Sequence, residues 1–515
     1  MQLLNQPIDL EPLAEHAMLA FAARVKSRDL LAFCSAAVKE DRRLVALWGS
    51  DERDRDEKFG YALHVALDLA EGLVCLTLPL PSENPVFPDL SLLFPCADRM
   101  QRAVRDLTGA SAESGDRRPW LRHANWPAEH HPLRRDTPDA HFETDNEDYA
   151  FVRVEGDGVH EIAVGPIHAG IIEPGHFRFS VMGESVLRLE ERLGWKHKGI
   201  ERRFAGMGLG DGARLAGRVS GDSTLAYAWA YCQAAEAIGG TLPPPRALWL
   251  RALLLERERI TNHLGDLGYL GNDVALAFGL MQFMRLKEDW IRLNASLFGH
   301  RLLMDRVVPG GVAVDLDAKG AQAIIDQCHT LTVELRRLKK IYEEHAGLQD
   351  RFLSTGRVTP QLAQRLGVIG LAGRASAQRW DLRCNHPCSP YDQLEPKMVI
   401  ERNGDVAARA LVRFAEISES IHLIHRIISD LPAGSIRNEL RSAPEQRGFG
   451  WIEGWRGDVL VALETGADGK IRRCHCHDPS WQNWPALEHA AIDNIVPDFP
   501  LINKSFNLSY SGQDL

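Results

Sequence analysis

The sequence has no long apolar run, and this absence excludes a chain that spans a membrane by itself. Even the leucine-rich stretch at residues 247–255 contains Arg251 and is followed by Glu256, whereas a membrane helix needs about 20 apolar residues. The first residues, Met1-Gln2-Leu3-Leu4-Asn5-Gln6, lack the cationic start and the apolar core of a signal peptide. We therefore expect a cytoplasmic protein that lies on the inner face of the cell membrane only through partners.

Motifs of nucleotide-binding and nucleic-acid-binding proteins are also missing. The chain contains no glycine loop followed by Lys-Ser or Lys-Thr, no dinucleotide fingerprint between a strand and a helix, and no Gly-x-Ser-x-Gly elbow in that context. Its 60 basic and 70 acidic residues are interspersed and give a formal net charge of −10. Direct NAD binding and a nucleic-acid partner are therefore not expected.

Cysteine is scarce, with nine residues in a chain of 515. An odd number of cysteines in a cytoplasmic chain fits reduced thiols better than a disulfide framework. Two clusters, Arg-Cys-Asn-His-Pro-Cys at residues 383–388 and Cys-His-Cys-His at residues 474–477, offer soft ligands for zinc or an iron–sulfur cluster. On a strand, however, the cysteines of the second cluster face one side and its histidines the other. We therefore expect ordinary thiols and no metal ligated by this chain.

The first part of the chain has the pattern of a small α+β domain. Residues 10–92 contain short apolar runs, such as those at 44–48 and 73–78, which are typical of strands. Apolar residues at 13–20 have helix-like spacing. A polar stretch at 111–145, with several prolines, histidines and arginines, then has the composition of an extended connector.

This connector predicts a domain boundary, with one domain at residues 1–140 and a second at residues 145–515. The second domain is predicted to be mainly α-helical and to contain two β-hairpins. Apolar residues at three- and four-residue spacing predict its long helices, at residues 225–238, 247–264, 274–297, 318–345 and 405–428. Alternating residues around glycine turns predict the hairpins, at residues 149–154 with 161–164 and at residues 459–463 with 471–476.

Two charged side chains stand in glycine-rich contexts that suit a functional role. Glu173 is followed closely by His176 in a segment rich in glycine and proline, which suits a proton relay. Arg456 lies between Trp455 and Gly457, where an arginine can direct a fixed cation into a cleft. The alternatives are a solvated loop carboxylate and a surface arginine. The charged residues at 257–266 are interpreted as a solvated or ion-paired helix surface.

An ordered series of segments resembles the large subunit shared by energy-converting nickel–iron hydrogenases and respiratory complex I. It comprises residues 165–168, 183–184, 193–201, 256–267, 380–383, 404–406 and 485–515. The first domain resembles the smaller complex I subunit that such hydrogenases carry fused in front, through residues 105–109, 126–127 and 132–136. The resemblance implies an α+β chain with a hydrogenase-large-subunit-like second domain.

In these hydrogenases two Cys-x-x-Cys pairs hold nickel, because soft thiolates bind the metal and bridge it to iron. The matching positions in this sequence are Ser220, Ser223, Ser509 and Gly512. Hydroxyl groups do not replace bridging thiolates at such a site. We therefore expect no nickel–iron centre and no hydrogen turnover.

Complex I uses the corresponding cavity for a quinone headgroup, with a histidine and a tyrosine that this chain does not keep in place. Ile172 stands at the histidine position and Gly221 at the tyrosine position, with His168 and Tyr227 nearby. A quinone would therefore bind only in a modified pose, in a cavity lined by Tyr227, His168 and Asp222 in place of that pair.

What matches the family is the surrounding machinery. Glu173 resembles the proton-transfer glutamate of the hydrogenases, and Arg456 resembles the arginine that overhangs their metal. The resemblance implies that Asp222, together with the serines at the ligand positions, lines a polar cavity.

Three functional hypotheses follow from the resemblance. In the first, the chain is a subunit that docks on an iron–sulfur partner and couples redox or conformational change to ion movement. In the second, it is an oxidoreductase subunit for a quinone or another small acceptor. In the third, it is a non-catalytic scaffold. The implied partners are an iron–sulfur small subunit, a ferredoxin-type subunit and antiporter-like membrane subunits. Iron–sulfur clusters would lie in the partners.

Overall fold

A computed structural model of the protein describes residues 8, 10–13, 20–55, 59–123, 126–138, 142, 149–167 and 172–515. Within these residues, no helix combines the length and the apolar character needed to cross a membrane. All nine cysteines are free thiols.

The first part of the chain folds around a five-stranded sheet. The strands are β1 (Glu11–Leu13), β2 (Ala20–Arg24), β3 (Leu44–Asp51), β4 (Tyr61–Leu69) and β5 (Gly72–Leu80). They lie in the order β1-β2-β5-β4-β3, in which β2 and β5 pair in parallel and the other neighbours are antiparallel. The predicted α+β domain and its two apolar strands are confirmed.

The helix-like spacing at residues 13–20 is a wrong prediction where the structure describes it. Leu13 ends β1 and Ala20 begins β2, while residues 14–19 lie outside the described part of the chain. Ala20 pairs with Leu73 of β5. Pairing with the apolar strand β5 therefore outweighs the helix-like spacing of apolar residues in this segment.

Both faces of this sheet are covered, which explains why β3, β4 and β5 read as continuous apolar runs. Helices α1 (Ser27–Lys39) and α2 (Ala97–Thr108) contribute to the hydrophobic cluster on one face, and the short parallel strands β6 (Val86–Phe87) and β7 (Ser111–Ala112) flank α2. On the other face, Trp48 and Cys75 pack in one cluster with Phe449 and Trp451 of the second part of the chain.

The second part begins with an antiparallel sheet of β8 (Val159–Val164), β9 (His176–Met182) and β10 (Ser185–Arg192). The predicted hairpin of residues 149–154 with 161–164 is wrong, because residues 149–154 form no strand and β8 pairs with β9. The Val152 amide donates to Glu190 Oε2 at 2.8 Å, and Arg102 donates to the Tyr149 hydroxyl at 2.6 Å. Side-chain contacts thus hold this segment in place of a strand partner.

Helices dominate the rest of the chain. They are α3 (Ile200–Phe204), α4 (Leu209–Ala216), α5 (Thr224–Gly239), α6 (Pro245–Asp273), α7 (Ala277–Phe298), α8 (Ala318–Glu344), α9 (Ala346–Phe352), α10 (Pro360–Leu366), α11 (Gly370–Ala375), α12 (Leu382–Asn385), α13 (Tyr391–Leu394), α14 (Val406–Ser429), α15 (Ser480–Ala490), α16 (Phe499–Phe506) and α17 (Tyr510–Asp514). The five predicted long helices correspond to α5, α6, α7, α8 and α14. A short ribbon of β11 (Val307–Val308) and β12 (Gly311–Val312) lies between α7 and α8.

A third sheet consists of β13 (Arg447–Glu453), β14 (Asp458–Thr465) and β15 (Ile471–His477). The predicted hairpin at residues 459–476 is confirmed as β14 and β15, and β13 adds a strand. Cys474 and Cys476 face the helical core, while His475 bonds Glu201 at 2.6 Å on the other side. The alternation predicted for this strand is therefore confirmed.

Helix α6 is buried on all sides, so the interpretation of residues 257–266 as a solvated or ion-paired surface is wrong in placing them on the surface. The ion pairing itself is present, since Asp266 lies 2.9 Å from Arg413. Arg259 is 1% exposed and His263 is fully buried. Their charges and polar atoms are compensated inside the protein, since His263 Nε2 lies 2.8 Å from Glu416 Oε2 and Arg259 donates to the carbonyl of Gly454 at 2.9 Å. Partners on distant segments offset the cost of removing these charged and polar groups from water. Helical spacing does not reveal such partners.

The boundary between residues 140 and 145 stays a prediction. One hydrophobic cluster joins Leu63 of β4, Trp120 of the connector and Trp484 of α15. The two parts of the chain therefore share a core across that boundary.

Candidate functional site

The four positions that the resemblance assigns to nickel ligands come together where two segments meet. Ser220 precedes the 3-10 turn that contains Ser223, Ser509 caps the N-terminus of α17, and Gly512 lies inside α17. The hydroxyl oxygens of Ser220 and Ser509 are 3.0 Å apart, and the Gly512 amide donates to Ser509 Oγ at 2.9 Å. Two segments separated by 289 residues in the sequence thus form one site.

An ion pair between Asp222 and Arg456 lies directly beside these positions. Arg456 Nη2 is 2.5 Å from Asp222 Oδ2, and Nη1 is 2.9 Å from Oδ1. Ser220 donates to Asp222 Oδ1 at 2.7 Å, and Arg456 Nη1 donates to Ser223 Oγ at 3.2 Å. Arg456 Nε donates to the carbonyl of Asn507 at 2.6 Å. One guanidinium therefore connects the 3-10 turn to the segment before α17.

The pair is charged at neutral pH. Burial by itself would raise the pKa of the Asp222 carboxyl, but the charge of Arg456 and the hydrogen bonds from Arg456 and Ser220 outweigh it and lower the pKa to about 2. Burial opposes the charge of Arg456, yet Asp222 raises the pKa of the guanidinium above its ordinary value.

The two partners differ in their access to solvent. The Asp222 side chain is 40% exposed, whereas that of Arg456 is only 6% exposed. The alternative of a surface arginine is therefore wrong, because Arg456 is buried over the ring of Trp455, 4.0 Å from its centroid. The carboxylate forms the open side of the site and the cation lies inside.

Helix α6 and the β13–β14 turn fix the backbone of Asp222. Asn262 Nδ2 and Trp455 Nε1 both donate to the Asp222 carbonyl, at 2.7 and 2.9 Å. Glu258 accepts from the Leu225 amide at 2.8 Å, and burial raises the pKa of its carboxyl to about 8. These supporting residues were not recognised as part of a site from the sequence, although residues 256–267 belong to the segments that carry the family resemblance.

A second set of polar groups lies behind the serines. Tyr227 is fully buried, and its hydroxyl donates to Asp478 Oδ2 at 2.7 Å. Ser480 Oγ accepts from the Ser509 amide at 2.9 Å, which joins this set to the site. A side chain on Gly512 would collide with the Asp478 carboxylate. The cavity-lining role predicted for Tyr227 stays a prediction, and Asp478 and Ser480 were missed.

Glu173 contacts the C-terminal segment from another side. Its Oε2 accepts from the Ser511 amide at 3.0 Å, and its Oε1 lies 3.7 Å from Lys196 Nζ. Its side chain is 39% exposed. Asp514, whose Oδ2 accepts from the Lys196 amide at 2.8 Å, is buried, and burial raises the pKa of its carboxyl to about 7. The proton-relay role of Glu173 stays a prediction.

The positions that match the quinone residues of complex I are only partly described. His168 lies outside the described residues, and the side chain of Ile172 is 41% exposed. Gly221 is exposed beside Asp222, and a side chain there would meet Met304 Cε at 3.4 Å. There is therefore open space at the Gly221 position.

The donor set at the ligand positions does not fit a thiolate-bridged metal pair. Three hydroxyls and a glycine hydrogen stand where the resemblance places four thiols, and the Arg456 cation donates to Asp222 and Ser223. Among the residues that the structure describes, no group of three or more histidines, cysteines, aspartates or glutamates could hold a metal ion.

Comparison with known proteins places the chain in a family. Residues 273–447 match the family model of the 49 kDa subunit of respiratory-chain NADH dehydrogenase, and residues 23–143 match that of its 30 kDa subunit. Formate hydrogenlyase subunit 5 of Escherichia coli is 30% identical over 487 residues, covering 92% of this chain and 85% of that protein.

Other relatives share this organisation. Hydrogenase-4 component G of Escherichia coli is 30% identical over 486 residues, covering 92% of this chain and 84% of the relative. The C/D protein of the NADH-quinone oxidoreductase of Phocaeicola vulgatus is 25% identical over 438 residues, covering 80% of this chain and 84% of the relative.

A solved structure shows the same fold. A chain of the membrane-bound sulfane sulfur reductase, an archaeal respiratory membrane complex, aligns with a TM-score of 0.66 and 23% identity, over 70% of this chain and 99% of that chain. Together with the relatives above, the matches to both family models show that this protein belongs to the family of fused 30 kDa-type and 49 kDa-type subunits found in energy-converting hydrogenases and NADH-quinone oxidoreductases.

Proposed function

We propose that this chain is a subunit of a membrane-associated oxidoreductase complex and works without a nickel–iron centre of its own. It docks on an iron–sulfur small subunit, and a ferredoxin-type subunit and antiporter-like membrane subunits complete the assembly. The chain lies on the cytoplasmic face of the membrane through these partners. Family membership supports the type of complex. The observation that supports the absence of nickel is the donor set at the ligand positions, where Ser220, Ser223, Ser509 and Gly512 offer no thiolate.

The ion pair supports a coupling role because of what it joins. Arg456 lies in the turn between β13 and β14, Asp222 lies in the 3-10 turn, and Asn507 precedes α17. Since Asp222 is partly exposed, a charge that appears in a docked partner changes the energy of a pair that links three segments. A redox event in the iron–sulfur partner would in this way shift the relative positions of these segments.

Metal analysis of the purified complex tests the proposal. We expect iron from the partner clusters and no stoichiometric nickel. Nickel near one atom per chain would contradict the proposal, and so would purification of the chain without any partner. As a positive control, an active hydrogenase of the same family, prepared in parallel, has to show its nickel.

The open side of Asp222 favours a second candidate, an oxidoreductase subunit for a quinone or another small acceptor. The Gly221→Trp substitution would fill the space beside Asp222, and loss of acceptor-dependent turnover would support this candidate. Unchanged turnover would exclude it.

A pure scaffold makes a different prediction. The complex should then keep its full activity after both Glu173→Gln and Arg456→Ala. The coupling proposal expects loss of ion movement in at least the Arg456 variant, with the partner subunits still bound.

A further inference from the structure

A wide cleft separates the N-terminal sheet from part of the helical domain and shares no lining residue with the site at Asp222. Its volume is about 740 Å³, within the range of ligand pockets, roughly 300–1,000 Å³. One wall includes residues 41–44 and 91–96, and the other includes residues 361, 364–369 and 378–380. Both parts of the chain therefore build it.

The cleft carries positive charge that the described part of the chain does not compensate. Arg42, Arg365 and Arg379 line it, and none of the described carboxylates forms an ion pair with any of the three. The Nε atom of Arg42 is buried and has no hydrogen-bond partner among the described residues. Arg365 and Arg379 are exposed at the cleft, and guanidinium groups bind carboxylates in a bidentate manner.

The acidic residues of the cleft already have partners. Asp41 Oδ1 accepts from Gln364 Nε2 at 3.1 Å. Asp68 lies 3.5 Å from Arg43 Nε and 3.0 Å from His386 Nε2. The Gln364 amide is neutral, so Asp41 keeps its negative charge. The four arginines and two aspartates of the lining therefore leave an excess of two positive charges for an occupant of the cleft.

One rim of the cleft is apolar. Leu92 is 89% exposed, and Leu93, Phe94 and Pro95 continue the same wall. A small anion would satisfy the arginines but would leave Leu92 in water. A polypeptide segment can provide carboxylates and cover the leucine at the same time.

We propose that this cleft binds an acidic segment of a partner subunit, with carboxylates on Arg42, Arg365 and Arg379 and an apolar side chain on Leu92. The inference rests on the proposed function for the existence of partner subunits, but it does not depend on the absence of nickel. The segment would lie close to the β13–β14 hairpin, since Arg43 in the cleft wall donates to Asp458 of β14 at 2.8 Å.

Zero-length cross-linking in the purified complex tests the proposal. The Arg365→Lys variant keeps the positive charge and introduces an amine, which a carbodiimide joins to any carboxylate in direct contact. We expect a cross-link from position 365 to an aspartate or glutamate of a co-purified subunit, identified by mass spectrometry. The matched control is Arg336→Lys, at an exposed arginine of α8 that lines no part of the cleft.

Charge reversal provides the second arm. Adding Arg42→Glu and Arg379→Glu to the Arg365→Lys background should reduce the intermolecular product roughly tenfold, because like charges then face each other. Adding Lys319→Glu and Arg402→Glu, which make the same charge change at exposed positions outside the cleft, should leave it unchanged.

The outcomes separate the two proposals. The docking inference would be overturned, and the proposed function left intact, if partner subunits co-purify but position 365 gives no intermolecular cross-link. The same holds if the Arg336→Lys control cross-links to a partner as efficiently as Arg365→Lys. A cross-link that survives the reversal of Arg42 and Arg379 would also overturn it. A chain that purifies without partners would contradict both proposals.

Discussion

Replacing Arg456 with methionine tests whether its ion pair with Asp222 holds three segments together. At a charge separation of about 4 Å, such a pair is worth about 1 kcal/mol in water and about 4 kcal/mol in a partly buried setting. Because the Asp222 side chain is 40% exposed, an intermediate value of about 2 kcal/mol is appropriate. A tenfold change in an equilibrium corresponds to about 1.4 kcal/mol, so local opening of the site should become roughly 30-fold more frequent.

Hydrogen exchange read by mass spectrometry measures this opening segment by segment. The amides to follow are those of Ser223, which donates to the Ser220 carbonyl at 3.1 Å, and of Gly512, which donates to Ser509 Oγ at 2.9 Å. Both should exchange roughly 30-fold faster in Arg456→Met. The amide of Leu335, inside α8, should keep its rate.

The control variant is Arg336→Met, at an exposed arginine of α8, which should change the exchange of neither site amide. A change of less than about threefold at Ser223 and Gly512 would refute the view that the ion pair joins the two segments, since it corresponds to less than about 0.7 kcal/mol. Equal acceleration at Leu335 would indicate a loss of global stability and would also refute it.

Three further predictions concern the same site. Gly512→Ala should lower the thermal unfolding temperature and destabilise the protein by about 1–3 kcal/mol, because the added methyl group overpacks against Asp478. Gly210→Ala, where nothing lies within 4 Å, should not destabilise it. Equal unfolding temperatures for the two variants would contradict the packing argument. The pKa of the Asp222 carboxyl is about 2 in the folded protein and about 3.9 in the unfolded chain. Its ionised form should therefore stabilise the protein fully above pH ~4, and this stabilisation should be lost as the pH falls toward ~2. The free energy of unfolding should depend less steeply on acid pH in Asp222→Asn, and an identical slope would argue against the ion pair. Tyr227→Phe leaves Asp478 Oδ2 without its hydroxyl donor, while Oδ1 keeps the Ser480 amide. The loss should lower the free energy of unfolding in urea by about 1–3 kcal/mol, and an unchanged midpoint would show that this bond is dispensable.

The sequence revealed those parts of the fold whose signal is local. The apolar runs at 44–48 and 73–78 are strands because a sheet covered on both faces needs continuous apolar residues. The helix periodicity at 225–238 and 405–428 corresponds to α5 and α14. Each of these sequence patterns lies within one strand or helix, and the packing of the fold favours the same structure.

Predictions failed where distant partners decide the outcome. Residues 149–154 alternate like a strand, yet Val152 bonds the Glu190 carboxylate and no strand forms. The charged residues of α6 look like a solvated face, yet partners such as Glu416 allow them to be buried. Local spacing contains no information on either partner.

The candidate site shows the same division. Family resemblance located Ser220 and Ser509 as equivalents of metal ligands, and the structure brings their hydroxyls to 3.0 Å. The pairing of Asp222 with Arg456 spans 234 residues, and no spacing rule reaches that far. The roles of Asn262 and Asp478 became visible only once the segments were folded together.

The sheet of the first domain has consequences for how the protein is made. Its second face is covered by Phe449 and Trp451, from the far end of the chain. If the two parts were synthesised as separate polypeptides, each would expose an apolar surface until it met the other, and such surfaces aggregate. Joining them in one chain turns that encounter into an intramolecular step at an effective concentration in the millimolar range. Covalent fusion thus replaces a bimolecular encounter with an intramolecular one and fixes a one-to-one ratio of the two parts at synthesis.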